Sequence, residues 1–279
     1  MSRVYSLVSP FLFRGKASKI GTAIILAFVI LIILGPFLSP YGPSDTSSDV
    51  NSAPSLMHPF GTDYLGHDIL TQVIYGAYPS MLTGVLAAAG SIALGITVGV
   101  FAGFYRKSES FLIGTGDVIL TFPPLPLMIL LGTLYPATTT LIIGILIVVL
   151  WPVSARAIRS QVFSLKERPY VESARTNGMS NFQIIRRMII PEIASLAIAY
   201  FVLTVAAAIV LVTALQFLGV GNPNIVSWGS MLYWAQQFAF YAGDWWWILA
   251  PGASITIVAM AFALLGFSIE EVMNPRLRT

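Results

Sequence analysis

The sequence predicts an all-α membrane protein with six transmembrane helices, and three observations support this prediction. Hydrophobic residues make up 56% of the 279 residues and charged residues only 10%, against about 25% in a soluble domain. Six apolar stretches are long enough to cross a bilayer, which takes about 20 helical residues. All 15 Lys and Arg residues lie to one side of these stretches.

The six spans divide the chain into a short tail, residues 1–19, and a membrane domain, residues 20–279. The first span follows Arg14, Lys16 and Lys19, a charge pattern that it shares with signal peptides. Its apolar run is longer than the roughly 7–15 residues of a signal core, so we expect a retained helix. We place the spans near residues 20–40, 79–104, 112–135, 138–155, 193–218 and 247–267.

The positive charges predict the orientation. Every basic residue lies in the N-terminal tail, the turn after the second span, the connection 156–192 or the C-terminal tail. The opposite loops, near 41–78 and 219–246, contain aspartates but neither Lys nor Arg. The positive-inside rule then places both termini and the connection 156–192 in the cytoplasm.

The connection 156–192 is longer than a helix bundle needs, which predicts a functional element. Pro169 suits the first turn of a helix, Gly178 suits a left-handed C-cap, and Ser180 suits the N-cap of a following helix. We therefore expect a short helix, a sharp turn and a second helix in the cytoplasm. Short helices are marginal in water, so this one is expected to contact a partner.

The same connection resembles the "EAA" loop of ABC-importer permeases. Glu172-Ser173-Ala174, three residues, Gly178, nine residues and Met188-Ile189-Ile190-Pro191 follow the family pattern Glu-Ala-Ala, three residues, Gly, nine residues, Ile-x-Leu-Pro. The departures at Ser173, Met188 and Ile190 are mild changes in size. In that family the short helix docks in a groove of the ATPase subunit. The resemblance implies the ATPase-coupling residues Tyr170, Glu172, Ser173, Ala174, Gly178 and Pro191.

Further motifs resemble the C-type subunit of dipeptide and oligopeptide permeases. The run His58-Pro59-Phe60-Gly61-Thr62-Asp63-Tyr64-Leu65-Gly66-His67-Asp68 resembles His-Pro-Leu-Gly-Thr-Asp-x-Leu-Gly-Arg-Asp, with His67 in place of Arg. The segments 217–221, 227–232 and 274–276 also match in order, so the similarity extends over nearly the whole chain. It implies a type I ABC-importer permease fold with cytoplasmic termini, in the plasma membrane of a bacterium or archaeon.

The resemblance also implies the assembly in which the chain works. The expected partners are a homologous permease subunit, two cytoplasmic ATPase subunits that hold ATP and Mg, and an extracytoplasmic substrate-binding protein. The lipid bilayer surrounds the permease, and the cargo would be peptides or oligosaccharides. In this family the recognition of cargo lies largely in the binding protein.

Other functions find less support in the sequence. The chain has no P-loop motif around its lysines, so we expect no ATPase or other enzyme activity in it. Its basic residues lie beside membrane spans, so we expect no nucleic-acid partner. A metal site from His58, Asp63, His67 and Asp68 would lack helical spacing, and we predict none. The remaining alternatives are an ion-coupled carrier or channel, or a membrane scaffold, and co-purification with a P-loop ATPase would discriminate.

Candidate residues of the translocation pathway lie in the third and fifth spans and in the loop after the fifth. Asp117 is an acid within a span, so it is a functional candidate, but it could instead pair with Arg106 or Lys107. The Phe122-Pro123-Pro124 run predicts a kink. The remaining candidates, for which packing or capping is the alternative, are Gln216, Phe217, Asn222 and Trp228.

Overall fold

The computed structural model describes residues 15–135 and 138–273, and within them it contains ten α-helices and one π-helix. Most of the expected tails, including the motif at 274–276, lie outside the described residues. The α-helices are α1 Lys16–Leu38, α2 Ile69–Phe104, α3 Arg106–Thr121, α4 Pro124–Thr133, α5 Thr139–Lys166, α6 Pro169–Thr176, α7 Asn181–Ile184, α8 Ile190–Phe217, α9 Trp228–Ala242 and α10 Trp245–Met273. The π-helix, Ile185–Ile189, joins α7 to α8.

Five helical segments in the described residues are long and apolar enough to cross a membrane: α1, α2, α5, α10 and the continuous run from α7 through α8. The helices α3 and α4 supply a sixth span if they are counted together, although they meet at a bend of 92°. The third span is therefore broken at the predicted kink. The reason is local, because Pro123 and Pro124 lack backbone N–H groups and restrict the residues that precede them.

Several helices extend beyond the apolar stretches that revealed them. Helix α2 begins at Ile69 rather than near residue 79, because Asp68 caps it by accepting a hydrogen bond from the N–H of Thr71 at 2.7 Å. Helix α5 continues to Lys166 rather than ending near residue 155. Hydropathy reports where lipid contact ends, whereas backbone hydrogen bonds continue into the aqueous region.

Helix α2 lies at the centre of the bundle, where it packs against α5 and α8. Glycines on its cytoplasmic half allow α5 to approach closely. A Cβ added to Gly99 would lie 2.7 Å from the carbonyl oxygen of Ala155, and one added to Gly103 would lie 2.8 Å from that of Arg159. Small residues at membrane helix interfaces permit such backbone contact. This contact fixes α5, which leads into the cytoplasmic hairpin.

Candidate functional site

The connection between α5 and α8 folds into a helical hairpin, residues 169–184, as the sequence predicts. Pro169 occupies the first turn of α6, where its missing N–H costs nothing. Gly178 adopts a left-handed conformation with φ of 82°. The N–H of Met179 donates to the carbonyl oxygen of Ala174 at 3.0 Å across this turn, which satisfies a carbonyl that the end of α6 would otherwise leave free.

The second helix of the hairpin begins with a capping box. The Ser180 hydroxyl accepts a hydrogen bond from the N–H of Gln183 at 3.3 Å, and the Gln183 side-chain oxygen accepts one from the N–H of Ser180 at 2.9 Å. This reciprocal pair satisfies two free donors at the helix start. The predicted N-cap at Ser180 is confirmed.

A π-turn then connects the hairpin to α8. The N–H of Ile190 donates to the carbonyl oxygen of Ile185, five residues earlier. Pro191 follows in the first turn of α8. Proline has no N–H for the carbonyl of Arg187 and its ring would crowd that group, and the wider π-turn relieves the crowding. Pro191 therefore shapes the joint between the hairpin and the membrane span.

The inner face of the hairpin is anchored to the bundle. Val171 and Ala174 on α6 are 0% and 5% exposed and pack in one cluster with Leu165 of α5 and with Ile184 and Ile189. This position corrects the expectation for Ala174, whose side chain faces the chain's own core and not a partner. A small side chain fits at this position because α6 packs against α5 there.

The outer face of α6 is open to solvent. Tyr170, Glu172 and Ser173 are exposed there, with Tyr170 retaining 38% of its accessible surface. On the flank, the Arg175 guanidinium lies 5.6 Å from the centroid of the Phe104 ring. The outer face of α6 is therefore a polar surface whose opposite side is fixed to the bundle.

Two ion pairs connect the first arm of the broken span to α5. Arg156 donates to Asp117 at 2.5 Å, and Arg159 donates to Glu109. Of the alternatives for Asp117, pairing with Arg106 or Lys107 is not what the structure shows, because the partner is Arg156 of α5. The pairing leaves the ion-coupled alternative without an unpaired acid in this span.

Four of the five remaining pathway candidates lie at the break in the third span or around or beside a small recess, and the fifth is buried in the core. Gln216 and Asn222 lie together around a recess of about 40 Å³, which Tyr233 also lines. Phe122, at the break between α3 and α4, retains 54% of its accessible surface. The backbone carbonyl of Phe217 accepts a hydrogen bond from the side chain of Gln236 at 2.6 Å.

Trp228, the fifth candidate, is a core residue. Its side chain is 0% exposed, its indole N–H donates to the carbonyl oxygen of Val73 at 3.0 Å, and its backbone N–H donates to the Ser80 hydroxyl at 3.0 Å. A fully enclosed ring cannot line a pathway, so its assignment to the pathway is wrong. The packing alternative describes it instead.

The histidines of the outer loop form two separate pairs with carboxylates. The Nδ1 atom of His58 lies 3.0 Å from Asp68, and that of His67 lies 2.7 Å from Asp63. Among the described residues, no group of three or more His, Cys, Asp or Glu side chains comes together as a metal site would require. These pairs fold the outer loop onto the start of α2.

Comparison with known proteins identifies the class. Residues 91–279 match the family described as binding-protein-dependent transport system inner membrane component. Residues 11–59 match the N-terminal transmembrane domain of oligopeptide transport permease C. The chain therefore belongs to the binding-protein-dependent transport system inner membrane components, the permeases of ABC importers.

Individual relatives agree over nearly the full length. The dipeptide transport system permease protein DppC of Alkalihalophilus pseudofirmus is 34% identical, over 99% of this chain and 93% of that protein. DppC of Bacillus subtilis is 34% identical, over 95% of this chain and 83% of that protein. A chain of the MetNI methionine ABC transporter in inward facing conformations has the same fold, with a TM-score of 0.58 at 15% identity, over 74% of this chain and 97% of that one.

These matches settle the general role. The chain is a multi-pass inner membrane permease subunit of a binding-protein-dependent ABC transporter, and it is not itself the ATPase. It works in a complex with other ABC transporter components.

The sequence did not reveal Arg156 and Arg159 as partners of acids in α3. Their spacing of three on one helix face was the available signal.

Proposed function

We propose that this chain forms half of the translocation pathway of a peptide importer. Its partners are a second, homologous permease subunit, two cytoplasmic ATPase subunits and an extracytoplasmic substrate-binding protein. The observation that carries the proposal is the hairpin 169–184, which exposes a polar face while its other face is locked into the bundle. Peptide cargo is favoured over oligosaccharide because two relatives that match nearly the whole chain are named as dipeptide permeases.

The exposed face of α6 docks in a groove of an ATPase subunit. Tyr170, Glu172 and Ser173 make the contact, and Glu172 lies in the first turn of α6, where a negative charge favours the helix. Ala174 acts from the opposite face by holding α6 against α5. Gly178 and Pro191 set the angles at the two ends of the hairpin.

Because the inner face is packed, movement of the hairpin moves α5 and α8 with it. The ATPase subunits would hold ATP and Mg, and their movement toward each other would carry the two hairpins with it. The cavity between the permeases then opens outward and receives cargo from the binding protein. Hydrolysis returns it to the inward-facing state. Nucleotide drives this change because it binds the two states with different affinity.

The pathway itself is assigned to α3, α4 and the outer end of α8. Phe122 lies at the break in the third span, and Gln216 and Asn222 line the small recess with Phe217 beside them. Asp117 contributes through its pair with Arg156, which connects the broken span to the helix that moves.

The test is uptake of a labelled dipeptide into proteoliposomes that contain the complete complex. We expect uptake to require both ATP inside and the binding protein outside, and to persist when a protonophore collapses the proton gradient. Glu172→Arg, which reverses the charge on the docking face, should reduce uptake and ATPase co-purification together. Uptake that follows the proton gradient and ignores ATP would contradict the proposal.

A further inference from the structure

A recess of about 150 Å³ lies between the outer loop and α9, on the extracytoplasmic side. It is remote in sequence from the hairpin and adjoins the smaller recess at Gln216, with which it shares Pro223 and Ser230. Five parts of the chain meet there: the outer loop, the first turn of α2, the loop before α9, α9 and the start of α10. Its lining includes Asp63, Tyr64, His67, Gln72, Trp234 and Trp247.

A buried carboxylate dominates the charge of this recess. Asp63 is 3% exposed. One of its oxygens accepts the N–H groups of Leu65 and His67, both at 2.9 Å, and the other lies 2.7 Å from Nδ1 of His67. The second oxygen also accepts a hydrogen bond of 3.5 Å from the side chain of Gln72, which is long and is therefore the bond that an incoming ammonium or guanidinium donor would displace.

No Lys or Arg compensates this charge from the outer loops. The segments 41–78 and 219–246 contain five aspartates and no basic residue other than the two histidines. Asp45, next to Ser44 on the rim of the recess, is exposed. Because these loops contain aspartates and neither Lys nor Arg, an incoming anion would be repelled by them and an incoming cation attracted.

The walls of the recess also suit a cation. Tyr64 and Trp247 stack on each other with ring centroids 5.7 Å apart, so the ring left to meet a ligand is that of Trp234, which lines the recess and is only partly buried. Aromatic side chains attract ammonium and guanidinium groups, Trp most strongly. The indole N–H of Trp247 has no hydrogen-bond partner among the described residues but is itself buried, so it does not contribute a donor to a ligand in the recess.

The size selects a side chain rather than a transported peptide. Pockets that hold whole small molecules measure about 300–1,000 Å³, and this recess is smaller. A docked protein segment can place a single side-chain cation in such a recess. We propose that the recess receives a Lys or Arg side chain of the extracytoplasmic binding protein. This inference rests on the proposed function, because it presupposes that such a protein docks on this face.

The first test uses a small probe on the purified permease in detergent without amine groups. Ligand-observed NMR would measure binding of Nα-acetyl-lysine N-methylamide, a blocked lysine, beside the neutral Nα-acetyl-glutamine N-methylamide. We expect saturable binding of the lysine probe, about tenfold tighter than that of the glutamine probe. Trp234→Leu should weaken lysine binding about five- to tenfold. The matched control is Trp245→Leu, because Trp245 is 61% exposed and does not line the recess.

His67→Arg gives the sharper variant. A permanent guanidinium beside Asp63 keeps a partner for the carboxylate and places a positive charge in the recess, so lysine binding should be lost. Equal binding of the two probes, or lysine binding unchanged in both recess variants, would overturn the inference. Binding of glycylglycine, which carries only a terminal ammonium, in place of the blocked lysine would assign the recess to cargo and also overturn it.

The second test measures docking of the cognate binding protein on the complete complex in nanodiscs. We expect the dissociation constant to rise at least about tenfold in His67→Arg and to stay unchanged in Trp245→Leu. Unchanged docking in His67→Arg would overturn the inference. ATP-dependent uptake is measured on the same samples, and its persistence would show that the proposed function stands even where the recess has no role.

Discussion

The left-handed turn at Gly178 allows a graded perturbation of the hairpin. An added Cβ there would have no atom within 4 Å, so a substitution costs only backbone strain. That strain is about 1–2 kcal/mol for an L-residue held at positive φ, and Asn tolerates the conformation better than Ala or Val. A hairpin that relaxes out of the strained turn must return to it on docking, so this strain sets an upper bound of about 5- to 30-fold on the loss of ATPase affinity, since 1.4 kcal/mol corresponds to a factor of ten.

The assay is a titration of ATPase subunits onto the permease in nanodiscs, combined with dipeptide uptake. We expect Gly178→Asn to behave almost like the wild type, Gly178→Ala to be weaker, and Gly178→Val to lose most docking and uptake. Gly252→Val is the matched control, because Gly252 in α10 also has open space around it but no positive φ. Equal docking and uptake across the Gly178 series would refute this reasoning.

Three further predictions concern stability and coupling. Burial raises the pKa of Asp244 above its ordinary 3.8, so its charged form costs stability at neutral pH; Asp244→Asn should raise the melting temperature at pH 8, by an amount that disappears as the pH falls below 3.8. Trp228→Phe removes the hydrogen bond to Val73 and should destabilise the protein by about 1–3 kcal/mol, measured by thermal unfolding, with uptake per folded molecule unchanged. Asp117→Asn removes the carboxylate partner of Arg156 and should leave uptake dependent on ATP and insensitive to a protonophore, measured in the same proteoliposomes.

The sequence predicted features that depend on one or two neighbouring residues. Pro169, Gly178 and Ser180 each carry a conformational preference that acts within its own turn, and the structure places all three as expected. The break in the third span is local in the same way, because two consecutive prolines exclude continuous helical hydrogen bonding. The one-sided distribution of Lys and Arg is read directly from the sequence, because it does not depend on which residues contact each other in the folded protein.

Features that depend on distant contacts could not be predicted. Which face of α6 is buried depends on α5, so Ala174 and Glu172 looked equivalent in the motif although one is core and the other is surface. The partner of Asp117 is 39 positions away in the sequence. The sequence around Trp228 resembles a loop, but in the structure Trp228 begins α9. Its burial against α2 follows only from the folded bundle.

The π-turn at Ile185–Ile189 has a consequence for sequence length. A π-turn is an α-helix with one residue too many, and each residue of an α-helix turns the chain by about 100°. Because the wide turn already absorbs the extra residue, deleting one residue there would restore ordinary α-helical hydrogen bonds, and α6 with its docking face would keep nearly the same orientation. A further inserted residue would instead rotate α6 by about 100° around the axis of α8, so this segment should accept a single deletion far better than an insertion.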